Sequence, residues 1–185
     1  MWDATRSKFA ARVRRLTRRF ARRQDGSAAV EFALVETPFL ALTFAILETA
    51  FVFFASQTLE AATADASRLI MTGQAQSAGY TAADFKNQVC ARIQGLFDCQ
   101  NGITVNVQTY SSFSAVNTAL PISNGQFNTA NMGYNPGTNP GDITVVQLYY
   151  QWPIYVSMLS NNLSNLNGSN RLLAAAAVFR VEPYK

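Results

Sequence analysis

Apolar and polar positions divide this chain into stretches of different rhythm. From Phe39 to Ala55 nearly every position is apolar, and only Thr43, Glu48 and Thr49 interrupt the run. Counted from Phe32, the run reaches the roughly 20 mostly apolar residues that a membrane-crossing helix needs. A helix apolar nearly all round must be buried in protein or in lipid. A chain of 185 residues offers no core large enough to enclose it. The pattern therefore predicts a span over about 32–55. Beyond Ala55 the rhythm becomes one-sided. Leu59, Ala62, Ala66 and Leu69/Ile70 recur at helical spacing, Gln57, Glu60, Asp65 and Arg68 fall elsewhere, and no breaker occurs before Gly73. One helix of about 45 residues is expected, half in the membrane and half on an outward-facing domain. A short separate helix after a turn is the alternative.

Further along, Gly73 to Gly79 reads as a small-residue connector. Thr81 has the character of an N-cap, with Asp84 three residues later in a weak capping-box pattern. Phe85, Val89, Ile93 and Leu96 predict a helix from about Ala82 to Phe97. After a turn at Asn101-Gly102, Ile103, Val105 and Val107 alternate with Thr104, Asn106 and Gln108, which predicts a half-buried strand to about Tyr110. Residues 111–141 are rich in Ser, Asn, Thr, Gly and Pro and read as a long loop, the obvious place for variable surface contacts. Ile143 to Trp152 is the strongest strand by composition, and Pro153 ends it or makes it an edge. A short apolar piece from Ile154 to Leu159 and an Asn/Ser-rich loop lead to a last strand from Leu172 to Val181. The expected fold class is α+β: a single-pass membrane protein whose long N-terminal helix packs on a small three-stranded antiparallel sheet. The domains are a leader at 1–26, the helical region at 27–72, and an α+β domain at 80–185.

Charge adds an orientation. Residues 1–25 hold nine basic and two acidic residues, for a net +7, whereas the remainder is net −3. Basic residues beside a span stay on the cytoplasmic side, so the leader is expected inside and the C-terminal domain outside. Phe9, Val13, Leu16 and Phe20 fall at helical spacing among the arginines, consistent with a membrane-surface helix. The rival readings are a nucleic-acid-binding arm, a mitochondrial transit peptide, and a secretory signal cut after the apolar run. The first is disfavoured because the charge abuts a span. The last is disfavoured because the run exceeds the 7–15 residues of a signal core. No nucleic-acid partner is expected. With an outward-facing domain in an oxidising compartment, Cys90 and Cys99 are expected to pair as a structural disulfide. Free buried thiols are the alternative, and the spacing is not that of a redox C-x-x-C.

Catalytic chemistry is poorly supplied. The chain has no histidine, which removes histidine-based triads and histidine metal sites. It has no P-loop and no dinucleotide fingerprint, and its outer carboxylates are scattered singly. No enzyme activity, catalytic residue, cofactor, metal or small-molecule substrate is expected. Glu31, Glu36 and Glu48 lie in or beside the span, where a charge is costly and marks a functional candidate. At 100° per residue they point near 0°, 140° and 260°, so one helix face does not collect them. Glu36, Glu48 and Pro38 are candidates for packing contacts within the membrane. Pro38 frees the carbonyl of Leu34 and is expected to kink the helix.

The stretch Gly26-Ser27-Ala28-Ala29-Val30-Glu31-Phe32, followed by an apolar helix with Pro38 and by Ile46-Leu47-Glu48, resembles the TadE-like pseudopilins of the tight-adherence (Tad/Flp) branch of bacterial type IV pili. Gln57-Thr58-Leu59-Glu60-Ala61-Ala62, with Ala66 and Arg68 behind it, continues the likeness, which covers Gly26 to about Leu69. The departures are Phe32, where this pilus class commonly has Tyr, and the additional Glu36. The resemblance implies cleavage between Gly26 and Ser27 by a prepilin peptidase, with Glu31 and Phe32 in processing and assembly recognition. In that role the Glu31 carboxylate meets a neighbouring subunit's terminal amine. It also implies a minor pilin-like subunit at the bacterial inner membrane, with its domain in the periplasm or carried into a surface pilus. Its partners would be the membrane, the peptidase, other pilin-like subunits and the assembly platform. A permanently anchored periplasmic binding module, never cleaved, is the alternative function; it has no need of Gly26 with Glu31.

Overall fold

The computed structural model describes residues 26–93, 95–137, 139–156 and 163–184. The basic leader, with the surface helix expected in it, falls outside these residues, as do residues 157–159 of the apolar piece after Pro153. The elements in order are α1 (Ser27–Met71), α2 (Gln74–Ser77), α3 (Ala82–Cys90), α4 (Cys99–Gly102), β1 (Thr104–Tyr110), β2 (Ile122–Ser123), β3 (Gln126–Phe127), β4 (Ile143–Pro153) and β5 (Asn170–Arg180). A single turn of 3₁₀ helix at Phe113–Ala115 precedes β2. The expected helix of about 45 residues is present as α1, 45 residues long, with Pro38 inside it. The chain forms two compact units that divide between Phe44 and Ala45, within α1.

In the first unit, the large apolar side chains from Val30 to Leu40 are between 40% and 71% exposed. Polar side chains on α1 are neutralised by the helix itself. The hydroxyls of Thr37, Thr43, Thr49, Ser56, Thr58, Thr63 and Ser67 each donate to the carbonyl four residues earlier. A hydroxyl satisfied this way can face an apolar medium at little cost.

The second unit is organised by one stripe of α1. Glu48, Val52, Ala55, Leu59, Ala62, Ala66 and Ile70 are all buried. Their spacing of three or four residues keeps them within about 40° of one line along the helix. Against this stripe pack Phe85 and Val89 of α3, Ile93 and Phe97 of the following turns, and Ile103, Val107, Val146, Leu148, Leu173 and Ala175 from the sheet region. Alanines at three of the seven stripe positions, Ala55, Ala62 and Ala66, let the sheet come close.

The sheet has the order β1-β4-β5, antiparallel throughout. Val107 lies opposite Val146, and Leu148 opposite Ala175. The strongest strand is therefore the central one, and Pro153 closes it by pairing with Asn170, where no further ladder bond is needed. Seven consecutive residues of β4, Ile143 to Tyr149, are buried. Both faces of the strand are covered, because the segment expected as a free loop folds back over the sheet. The hairpin of β2 and β3 and Met132 bring Ile122, Phe127 and Met132 onto Tyr149, Leu166 and Leu172. This cover is held by amides. Asn106 Nδ2 donates to Gln147 Oε1 at 2.8 Å, while Asn106 Oδ1 accepts from Gln108 Nε2 at 3.1 Å and from the Gly133 amide at 3.0 Å. The open edge of β1 is closed in part by the same segment: the Val107 amide donates to Gly133 and its carbonyl accepts from Asn135, both at 2.8 Å.

Three local expectations change. The connector after Gly73 contains a helical turn, α2, which starts from the left-handed Gly73 at φ 75°. A Cβ there would lie 2.2 Å from the Tyr184 ring, so only glycine fits. The Asn101-Gly102 turn is the end of the short helix α4. The helix expected to reach Phe97 stops at Cys90, and the reason is covalent. Cys90 and Cys99 form a disulfide with their Cα atoms 5.5 Å apart; nine residues of continuous helix would separate them by about 13 Å. The chain turns instead, with the amides of Arg92 and Ile93 bonding three residues back and Gly95 at φ 88°. Phe97 then lands edge-on against Tyr150, ring centroids 4.8 Å apart.

Closing so short a loop stabilises the folded state by about 2.5 kcal/mol in the chain-entropy picture. Cys99→Ser should lower stability by about that amount in a denaturant titration. A reductant should produce a similar loss in the parent and none in the variant.

The start of α3 gives a second test. Thr81 and Asp84 form a complete capping box, and bonds from the Thr81 side chain first, then its amide, hold the Asp84 carboxyl below its usual 3.8. A depressed carboxyl contributes stability above its unfolded value and loses that contribution as pH falls through the folded one. Thermal melts of parent and Asp84→Asn should therefore differ at neutral pH and converge as the medium is acidified below about pH 4.

Candidate functional site

Residue by residue, the segment Gly26–Phe32 lies at the start of α1. Gly26 occupies a 3₁₀ position immediately before Ser27, where the α-helix starts. It is exposed, and a Cβ added to it would meet nothing within 4 Å. Glu31, Phe32 and Glu36 follow on α1 and are all exposed, Phe32 to 65%. Pro38 is accommodated within the continuous helix. The peptide bond after Gly26 thus stands at a junction between a permissive residue and a helix, with no side chain crowding it on the glycine side.

Glu48 has a different setting. It is 9% exposed and is the first residue of the buried stripe. Its carboxylate accepts hydrogen bonds from two successive backbone amides beyond β4, those of Tyr155 and Val156, with both oxygens 3.1 Å from the Val156 nitrogen. A carboxylate on consecutive amides is a strong, charge-assisted arrangement. It ties the chain leaving the central strand to the helix. Sequence reasoning singled out Glu48 for its cost in an apolar run but had no means of finding its partners. They are backbone amides 107 and 108 residues away, and a backbone partner leaves no mark in composition or periodicity.

Glu31, Glu36 and Glu48 are not collected into one site, consistent with their angular positions on the helix. Among the described residues no group of carboxylates and cysteines has the arrangement of a metal site. A pocket of about 440 Å³ opens between β1 and the folded-back cover, lined by uncharged side chains that include Asn106, Gln108, Asn117, Asn128 and Gln147. Its hydroxyls are those of Thr109, Tyr110 and Ser123, and no carboxylate, lysine, arginine or cysteine lines it.

Removing the Glu48 carboxylate would leave two amides without their acceptor, at a cost of about 1–3 kcal/mol. Glu48→Ala should raise hydrogen exchange at Tyr155 and Val156 by one to two orders of magnitude, while the amides of β4 keep their protection. Unchanged exchange at both positions would show that the carboxylate does not hold this segment.

Comparison with known families agrees with the geometry over one part of the chain. Residues 26–68 match the model of the family described as TadE-like protein. The match begins at the glycine that precedes α1 and ends three residues short of its last residue. No curated protein and no solved structure matches the chain. Over residues 26–68, which take in most of α1, the chain is similar to the TadE-like family.

Proposed function

We propose that this chain is a minor pilin-like subunit for assembly of a Tad/Flp-type adhesion pilus, anchored in the bacterial inner membrane by α1 and cut after Gly26 by a prepilin peptidase. The family points to a pilus-related structural protein associated with the membrane and with other pilus components. The observation that carries the finer reading is the position of Gly26. The glycine stands exposed on the last residue before a 45-residue helix, with Glu31 at the fifth position after it. A peptidase acting at a membrane surface needs a bond it can draw into an extended conformation, and glycine next to a helix start gives way most readily. After cleavage, Ser27 would carry the new α-amine at the N-terminus of α1. The Glu31 carboxylate of a neighbouring subunit would then supply the countercharge. In an apolar bundle such a pair is tolerated only when the two groups meet, so it fixes the axial register of one subunit on the next. The basic leader supports an N-terminus on the cytoplasmic side and a domain in the periplasm.

The test is the first residue of the protein recovered from membranes of a strain carrying the full assembly system. Terminal sequencing and intact mass should give Ser27, and Gly26→Val should restore Met1. Recovery of the parent with Met1 in place would overturn processing and leave a permanently anchored periplasmic module. A terminus beyond Ala55 would overturn the anchor as well. If processing holds, Glu31→Gln should leave the cut intact and reduce incorporation into pili several-fold.

A further inference from the structure

The apolar run of α1 does not end where the α+β unit begins. Phe32–Ala55 amounts to about 36 Å of helix, whereas the hydrocarbon core of a bilayer is about 30 Å thick. The unit's buried stripe already starts at Glu48. On Ala45–Ala55, therefore, one face of α1 packs into the unit while about half of the circumference is apolar and bare. Ile46, Leu47, Phe51, Phe53 and Phe54 are 47–64% exposed. Beside Glu48, and bound to it through its amide, Tyr155 is 83% exposed.

We infer that this face is a membrane seat: the α+β unit rests in the outer headgroup region, with Phe51, Phe53 and Phe54 in lipid and Tyr155 as a second contact that Glu48 holds down. The inference rests on the anchor reading above. Lipid is favoured over a second copy for two reasons. The bare side chains wrap about half of the helix circumference, more than the stripe a single neighbouring helix covers. They are also bulky, whereas helix contacts within membranes favour small residues; Ala50 is the only small exposed residue among them. Continuity with the anchor places the patch at the depth where aromatic side chains collect, with the tyrosine hydroxyl toward water. Glu48 has a defined part in this seat. By engaging two amides with its carboxylate, it removes the need to hydrate either partner where water is scarce.

The test uses the full chain in lipid nanodiscs, with single cysteines introduced at Phe39, Phe54, Tyr155 and Asn124, the disulfide left intact, and a nitroxide attached. Accessibility to oxygen against a water-soluble nickel chelate reports depth. Phe54 should resemble Phe39 in favouring oxygen, Tyr155 should fall between, and Asn124, on an exposed turn, should favour nickel at least several-fold. Adding Glu48→Ala should move the label at Tyr155 toward the Asn124 value and leave Phe54 unchanged. Nickel-accessible labels at Phe54 and Tyr155 beside a lipid-exposed Phe39 would overturn the seat and leave the anchor standing. A nickel-accessible Phe39 would overturn both. Labels at Phe54 shielded from both reagents and broadened by each other would mean that a second copy covers the face, and would overturn the lipid assignment.

Discussion

Everything in the α+β unit depends on a line of small and medium apolar side chains along the second half of α1. The sheet, α3 and the disulfide-bounded turn each contribute residues to the surface that covers this line. Three of the seven stripe residues are alanines, so much of the energy comes from the large residues brought to the helix. Phe85, Ile93, Phe97, Ile103, Leu148 and Leu173 supply that bulk. A narrow, small-residue helix face is a good floor for a twisted sheet, because the strands can settle close without steric conflict.

That dependence explains how the two halves of α1 carry different tasks in one element. In the first half, apolar side chains are exposed all round, and hydroxyls are returned to the helix's own carbonyls. In the second half the same back-bonding recurs on the buried Thr63 and Ser67. A single local device thus makes polar residues tolerable both where the surroundings are open and where they are packed.

Much of this was legible from residues alone, and the reason is periodicity. The length of α1, the stripe at Leu59, Ala62, Ala66 and Ile70, the capping box at Thr81 and Asp84, and the three strands all follow from local spacing. The sequence misled where long-range closure decides. The helix after Thr81 was expected to run on because Ile93 and Leu96 keep its period; the disulfide cuts it short, and those residues reach the core from turns instead. Residues 111–141 were expected as a free loop from their composition. Their few apolar members, Ile122, Phe127 and Met132, are spaced for no regular element yet suffice to cover the sheet, with buried Asn106 and Gln147 holding the cover in place. The segment Gly26–Phe32 is legible only through its family pattern, since Gly26, Glu31 and Phe32 are exposed like the large apolar residues that follow them.

The register of the sheet also has a consequence for the order of events during folding. The central strand lies between a partner some 40 residues earlier and one that ends near the C-terminal tail, where the Glu182 amide bonds back to Met71 at the end of α1. Such pairings are non-local, and loop closure must precede any gain from them. The stripe on α1 is synthesised long before the residues that cover it. During that interval its apolar side chains have no cover. Until those residues are made, the chain has nothing of its own to lay over the stripe, and an apolar surface left open in this way favours association with other chains.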